Sequence, residues 1–147
     1  MNKLPSKKEY QDLVKKKSPK SKILKNSIIA FLIGGLICTI GQCFLSFYKW
    51  IGLDEELSST ATSVSMIFLG VLLTGLDIYP KIAKHAGAGT LVPITGFANA
   101  VASEAIDAKT EGYIFGVGVK IFNIAGPVIL YGTTASFIVG IIFLIFK

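Results

Sequence analysis

The residues of this chain that could do chemistry are a few polar groups set into an otherwise apolar segment. From Gly96 the small or polar positions are Gly96, Asn99, Ser103 and Asp107, spaced by three and four. On a helix that spacing gathers them on one face, with Phe97, Val101 and Ala105 on another. The pattern recurs at Gly116, Lys120, Asn123 and Pro127, beside Val117, Ile121, Ile124 and Val128. Two such helices are too polar to meet hydrocarbon all round, so they turn their polar faces toward each other or toward water. Lys120 has the largest consequence. A lysine at bilayer depth costs about 2.5–3.5 kcal/mol on insertion scales, so it faces a cavity or a partner carboxylate. The competing arrangement is a helix lying flat, with the lysine snorkelling to the interface. Asn123, one turn away, favours the cavity.

Upstream, Gly87-Ala88-Gly89-Thr90 admits two readings. It is either a backbone nest, whose free N–H groups point at an oxyanion, or a glycine-rich connector. A nucleotide loop is excluded, because no G-K-[ST] follows and the third glycine of a dinucleotide fingerprint is missing. Gly87, Gly89, Pro93, Gly96, Gly126 and Pro127 all interrupt regular structure between Gly75 and Tyr131. At membrane depth such backbone persists only where protein buries it or where it lines a wet cavity. The segment is therefore a candidate conduction path. Asp77, at the end of an apolar run, reads as an interfacial anchor or a partner for Lys81. The one histidine, His85, lies in a basic turn, and no nucleophile–base spacing stands out, which points away from an enzyme. One histidine and two separated cysteines make no metal set, and no cofactor is implied.

The elements that must position these residues are membrane spans. Ile28 to Tyr48 runs 21 residues without a charge, Thr60 to Leu76 runs 17, and Ile121 to Phe146 runs 26. Mean hydropathy is +0.63. Crossing a hydrocarbon core takes about 20 helical residues, so the fold class is an all-α integral membrane protein. Three to four transmembrane helices are expected, with a broken, Gly/Pro-rich re-entrant segment at the centre. Two parts follow: a lysine-rich tail over 1–25 and a single membrane domain over 26–147. The tail carries Pro5 and Pro19, with a short interfacial helix expected around Glu9–Lys17.

Charge sets the orientation. The first 25 residues hold nine lysines against Glu9 and Asp12, and the other 122 hold six lysines against seven acids. Because the basic tail abuts a span, the positive-inside rule places it in the cytosol. It is also suited to anionic lipid headgroups. With Tyr10 as its one aromatic and no arginine, it does not resemble a nucleic-acid binder. The first span, about 26–48, ends at the interfacial Tyr48 and Trp50. Asp54, Glu55 and Glu56 then form an acidic turn, and Ser58, Ser59 and Thr60 supply cap chemistry for the second span. That span is expected to run to Tyr79 and stop at Pro80, where Lys81, Lys84 and His85 return the chain to the basic side. Cys38 and Cys43, about 140° apart around one helix, cannot pair and read as buried free thiols.

The third span is too long for one straight crossing. Gly112 to Phe146 would reach about 52 Å at ~1.5 Å per residue, and Gly126–Pro127 is the expected break, since proline removes a helical hydrogen bond. A short helix over about 112–125 and a span over 127–146 follow. Within the latter, Gly132, Ser136 and Gly140 form a small-xxx-small stripe for close helix contact.

The run from Lys81 to Gly132 resembles the stage V sporulation A membrane proteins of the AC/AEb type. The resemblance rests on GAG (87–89), VPITGFAN (92–99), EAIDAKTEG (104–112) and the closing F-x-x-A-G at Phe122, Ala125 and Gly126. The lysine-rich tail and GGLICTIGQ (34–42) favour the AC branch. The resemblance implies a subunit of a channel complex in the inner membrane of the forespore and spore. Its solute would be dipicolinic acid with calcium, moved inward during sporulation and outward at germination. The implied partners are a paralogous AEb-type membrane subunit and a cytosolic AD-type subunit that binds dipicolinate. A path for a small dicarboxylate needs donors without a tight trap. The implied solute-path residues are Gly87, Gly89, Thr95, Asn99, Ser103, Lys120 and Asn123, with Glu104 or Asp107 meeting calcium. The alternative is a non-conducting assembly subunit of the same complex. A secondary transporter is disfavoured, since the chain shows no internal inverted repeat.

Overall fold

The computed structural model describes residues 7–17 and 22–146, and within these the chain is helical. Pro5 and Pro19 of the tail lie outside the described residues. Helix α1 (Lys7–Lys17) is the short tail helix expected from the sequence, and α2 (Ile23–Trp50) and α3 (Glu55–Gly75) are the first two spans. The broken segment folds as α4 (Tyr79–Ala86), α5 (Ala88–Leu91) and α6 (Ile94–Asp107). A 3-10 turn (Ala108–Glu111) and a π-helical stretch (Tyr113–Gly118) lead into α7 (Val119–Ile145). Three helical segments, Ile23–Trp50, Glu55–Gly75 and Tyr113–Ile145, are long and apolar enough to cross a membrane. Helix α6 has 14 residues, about 21 Å at ~1.5 Å per residue, short of the ~30 Å core. It is a half-span. Gly70 meets Thr95 and Thr74 meets Asn99, so α6 runs parallel to α3 and heads back toward the end at which α3 finishes.

Several local expectations are corrected. Asp54, not the serine run, caps α3, its carboxylate accepting from the Leu57 amide at 2.8 Å. Ser58 is instead fully buried and donates to the Leu53 carbonyl at 3.2 Å. Helix α3 ends at Gly75 rather than Tyr79, and Pro80 starts a helix instead of stopping one. Proline suits a first helical turn because that amide has no intrahelical partner anyway. Between the two, Asp77 adopts φ +56° and pairs with Lys81 at 3.0 Å. Pro127 lies inside α7, which runs through Gly126–Pro127 without a break. The irregularity falls earlier, in the π-helical turns of Tyr113–Gly118, which absorb the change of direction after Gly112 at φ +93°. Cys38 and Cys43 are free but lie on the outer surface of α2.

The bundle is inverted relative to a soluble protein. Apart from Met66 and Tyr79 its buried side chains are small, among them Ser58, Thr74, Thr90, Thr95, Ala86, Ala98 and Ala108, while most large apolar side chains face outward. Lipid tails are as apolar as leucine, so helices associate in a bilayer through close backbone approach and hydrogen bonds instead. On α2 the half-buried stripe Ala30, Gly34, Ile37, Gly41, Phe44 and Tyr48 faces inward. It meets α3 through Tyr48 and Ser65, whose hydroxyls are 2.7 Å apart, and it meets α5 through Gly89.

Glycine decides these approaches. A Cβ at Gly89 would collide with the Ala30 carbonyl, one at Gly96 with the Thr90 carbonyl, and one at Gly70 would sit 3.0 Å from the Thr95 carbonyl. A Cβ at Gly35, on the outer side of α2, would meet nothing within 4 Å. Gly89→Val is therefore expected to destabilise the purified protein by about 1–3 kcal/mol through overpacking, read as a lower thermal midpoint in detergent. Gly35→Ala should leave the midpoint unchanged or raise it slightly, since alanine is the better helix former.

Candidate functional site

The broken segment exposes backbone groups that lipid cannot satisfy, and the structure shows where they go. Helix α5 ends after one turn, and the Thr90 carbonyl accepts from the Tyr79 hydroxyl at 3.0 Å. The same phenol lies 2.9 Å from the Thr95 hydroxyl, and Tyr79 is only 4% exposed. One side chain at the start of α4 therefore ties the end of α5 to the first turn of α6. One turn further along α6, Asn99 accepts from the Thr74 hydroxyl of α3 at 2.9 Å, and that hydroxyl also lies 2.6 Å from the Gly70 carbonyl. Thr90 donates to the Gly87 carbonyl at 3.0 Å. Among the described residues no buried side-chain nitrogen or oxygen lacks a partner. The polar face of α6 is turned inward against α3.

Each predicted site residue now has a place. Gly87 caps α4 and opens α5 at φ +51°. Its amide bonds to the Ala83 carbonyl at 2.9 Å, and the Thr90 amide bonds to the Gly87 carbonyl at 3.2 Å. Two amides that a nest would offer are thus already taken, and the turn works as a connector. Gly89 is buried against α2. Thr95 and Asn99 belong to the interhelical hydrogen bonds just described. The Ser103 hydroxyl returns to its own helix, 2.7 Å from the Asn99 carbonyl. Asp107 is exposed at the end of α6.

Glu104 and Lys120 meet across the α6–α7 junction, 3.8 Å apart, each with a side chain 44% exposed. That distance exceeds a direct hydrogen bond but is short enough for the charges to offset each other's insertion cost. Gly116 makes the approach possible, because a Cβ there would meet the Ala108 carbonyl and Glu111. Asn123 is exposed one turn beyond Lys120. Lys120 of the second polar stripe therefore meets Glu104, a neighbour of the first stripe rather than a member of it, while Asn99 of that first stripe is turned to α3. Gly132, Ser136 and Gly140 lie on the exposed part of α7, and no described atom of this chain comes within 4 Å of a Cβ built at either glycine.

Tyr79 is the structural residue the sequence reading missed. It was legible as an aromatic before a proline, but nothing local marks which carbonyl its phenol will reach. Thr74, inside an apolar run, was missed for the same reason.

Comparison with known proteins fits this architecture. No solved structure matches the chain. It is 44% identical over 137 residues to stage V sporulation protein AC of Bacillus subtilis (strain 168), covering 92% of this chain and 91% of that protein. The family model described as SpoVAC/SpoVAEB sporulation membrane protein matches residues 26–142. That range takes in all three spans' apolar centres, the half-span α6 and the Glu104–Lys120 junction, and the chain belongs to the SpoVAC/SpoVAEB family of sporulation membrane proteins.

Proposed function

We propose that this protein is a membrane subunit of the spore complex that moves dipicolinic acid, with calcium, into the developing spore and releases it at germination. The observation that carries the reading is the Glu104–Lys120 pair: a lysine and a carboxylate at the junction of a half-span and a full span, half-open and beside the exposed Asn123. The pair stands about one turn past the level at which α3 ends, at the mouth of the bundle, where a half-exposed lysine can draw in a dicarboxylate. A paired lysine attracts a dicarboxylate without trapping it, since release must remain as easy as entry. Gly89, Thr95 and Asn99, in this reading, shape the path by holding the helices that line it. The proposed membrane partner is an AEb-type paralogue and the proposed cytosolic partner is an AD-type subunit. The compartment is the inner membrane of the forespore and spore.

The uncovered second half of α7 favours a second reading, in which the chain assembles the complex without conducting. One set of variants separates the two. Lys120→Glu sets two carboxylates side by side and should depress dipicolinate accumulation severalfold at normal levels of assembled complex. The exchange Glu104→Lys with Lys120→Glu restores the pair and should recover part of that loss. Normal uptake by Lys120→Glu at normal complex levels would leave the assembly reading ahead.

Two further outcomes follow. Gly132, Ser136 and Gly140 should seat a partner's helix, because small residues let backbones approach closely. Ser136→Ile should then reduce complex recovered from membranes severalfold, whereas Ser136→Ala should not. The lysine distribution supports a cytosolic N-terminus and a cytosolic Lys81–His85 turn. In a variant lacking Cys38 and Cys43, an impermeant thiol reagent applied from outside should modify Ser59→Cys, which is exposed where Ser58 is buried, and spare Ser6→Cys. The reverse pattern would overturn the orientation.

A further inference from the structure

A cleft of about 390 Å³ opens between the first turns of α2 and the α4–α5 corner, lined by Asn26, Ser27, Ala30, Lys84, His85 and Gly87, among others. Its lining is more polar than that of the groove next to it. The neighbouring groove along α2, lined by Phe31, Gly35, Cys38, Val92 and Pro93, has no charged lining residue. Among the described residues no carboxylate lines the polar cleft, and Asn26, Ser27 and Lys84 can donate hydrogen bonds into it. Asn26, Ser27 and Lys84 have no side-chain partner among the described residues. His85 donates from Nδ1 to the Lys81 carbonyl at 3.0 Å, and its Nε2 has no partner among the described residues. Lys22 and Lys25 are exposed at the start of α2, and Lys81 is exposed on α4 one turn before His85. The nearby acid in the sequence is Asp77, which Lys81 already neutralises.

Position narrows the ligand. The cleft lies where α2 begins and α4 follows the end of α3, the end of the bundle at which both chain segments turn basic. Helix α4 presents Lys81, Lys84 and His85 outward while burying Tyr79 and Ala86, the arrangement of a helix lying at a membrane surface. Lysines at that level without a carboxylate partner among the described residues, such as Lys84, attract the phosphates of anionic lipids.

We propose that this cleft binds one phosphate group, and that the group is the headgroup phosphate of an anionic phospholipid. Lys84 supplies the charge, and Asn26 and Ser27 supply the directed hydrogen bonds that distinguish a site from a diffuse basic surface, with His85 adding a polar wall beside them. Its occupant would bridge the first span to the broken segment and brace the α2–α5 contact at Gly89 from the outside. The site is separate from the Glu104–Lys120 junction and does not depend on what solute the protein moves.

The test uses the full-length protein in neutral detergent, titrated with phosphatidylglycerol, with phosphatidylcholine and with inorganic phosphate, and read by native mass spectrometry and thermal shift. The expected result is one saturable phosphatidylglycerol per chain with a raised thermal midpoint, and binding at least tenfold weaker in Lys84→Gln/His85→Gln. Those two side chains are exposed, so the variant should fold. Ser27→Glu, which places a carboxylate in the cleft, should weaken binding similarly. Lys16→Gln/Lys17→Gln, in the tail helix, should leave the saturable component intact. Competition by millimolar inorganic phosphate would assign the site to the oxyanion itself, and indifference to it would assign the site to the intact lipid. Equal binding of phosphatidylglycerol by the wild type and both cleft variants, or equal binding of phosphatidylcholine, would overturn the proposal.

Discussion

Everything in the membrane domain depends on satisfying a broken backbone where water is absent. A helix interrupted at Gly87 and again at Pro93 leaves carbonyls and amides without helical partners, and each such group left bare in hydrocarbon costs several kcal/mol. Tyr79 answers this directly. Its phenol reaches the Thr90 carbonyl and the Thr95 hydroxyl, so the segment can change direction twice within the protein's own interior. The glycines at 70, 89 and 96 complete the solution by bringing backbone against backbone, which removes the space that lipid or water would otherwise fill.

The same constraint explains why so much of the surface is apolar. The inner positions are used for small and hydroxyl-bearing residues, so the bulky side chains are left to the outside. Phe31, Phe68, Phe122 and Phe143 are each more than 60% exposed, as lipid contact or a partner subunit would require. Helix α7 is the extreme case. Its first turns are held through Gly116 and Lys120, but beyond Pro127 every described residue is exposed. A half-span pinned on one side and a long helix bare on the other leave an apolar face for lipid or, in the proposed complex, for a partner subunit.

Much of this was legible in the sequence, for identifiable reasons. Charge-free runs marked the spans, because bilayer thickness fixes helix length. The three-and-four spacing of Asn99 and Ser103 marked α6, but the short helix expected over 112–125 is instead a π-helical stretch running into the first turns of a continuous α7. Lys120, read as facing a cavity or a partner carboxylate, lies 3.8 Å from Glu104. Local signals misled where tertiary contacts decide. Pro80 read as a stop but sits in a first helical turn, and Gly126–Pro127 read as a break but lies inside a continuous helix. Pro127 is tolerated because membrane helices can re-satisfy a freed carbonyl. The irregularity moved to Gly112, whose positive φ only the folded chain reveals. Long-range partners such as Tyr79 with Thr90, or Thr74 with Asn99, have no local signature at all.

The central structural claim is that α6 is a half-span that returns to the side from which the broken segment entered. It is tested most directly by thiol accessibility at the two ends of that segment. In membranes of defined orientation, with Cys38 and Cys43 replaced, Ala88→Cys and Lys109→Cys would each be exposed to an impermeant reagent added to one face at a time. The parallel course of α6 and α3 predicts that both react from the same face. Reaction of Ala88→Cys from one face and Lys109→Cys from the other would make α6 a fourth span and contradict the account.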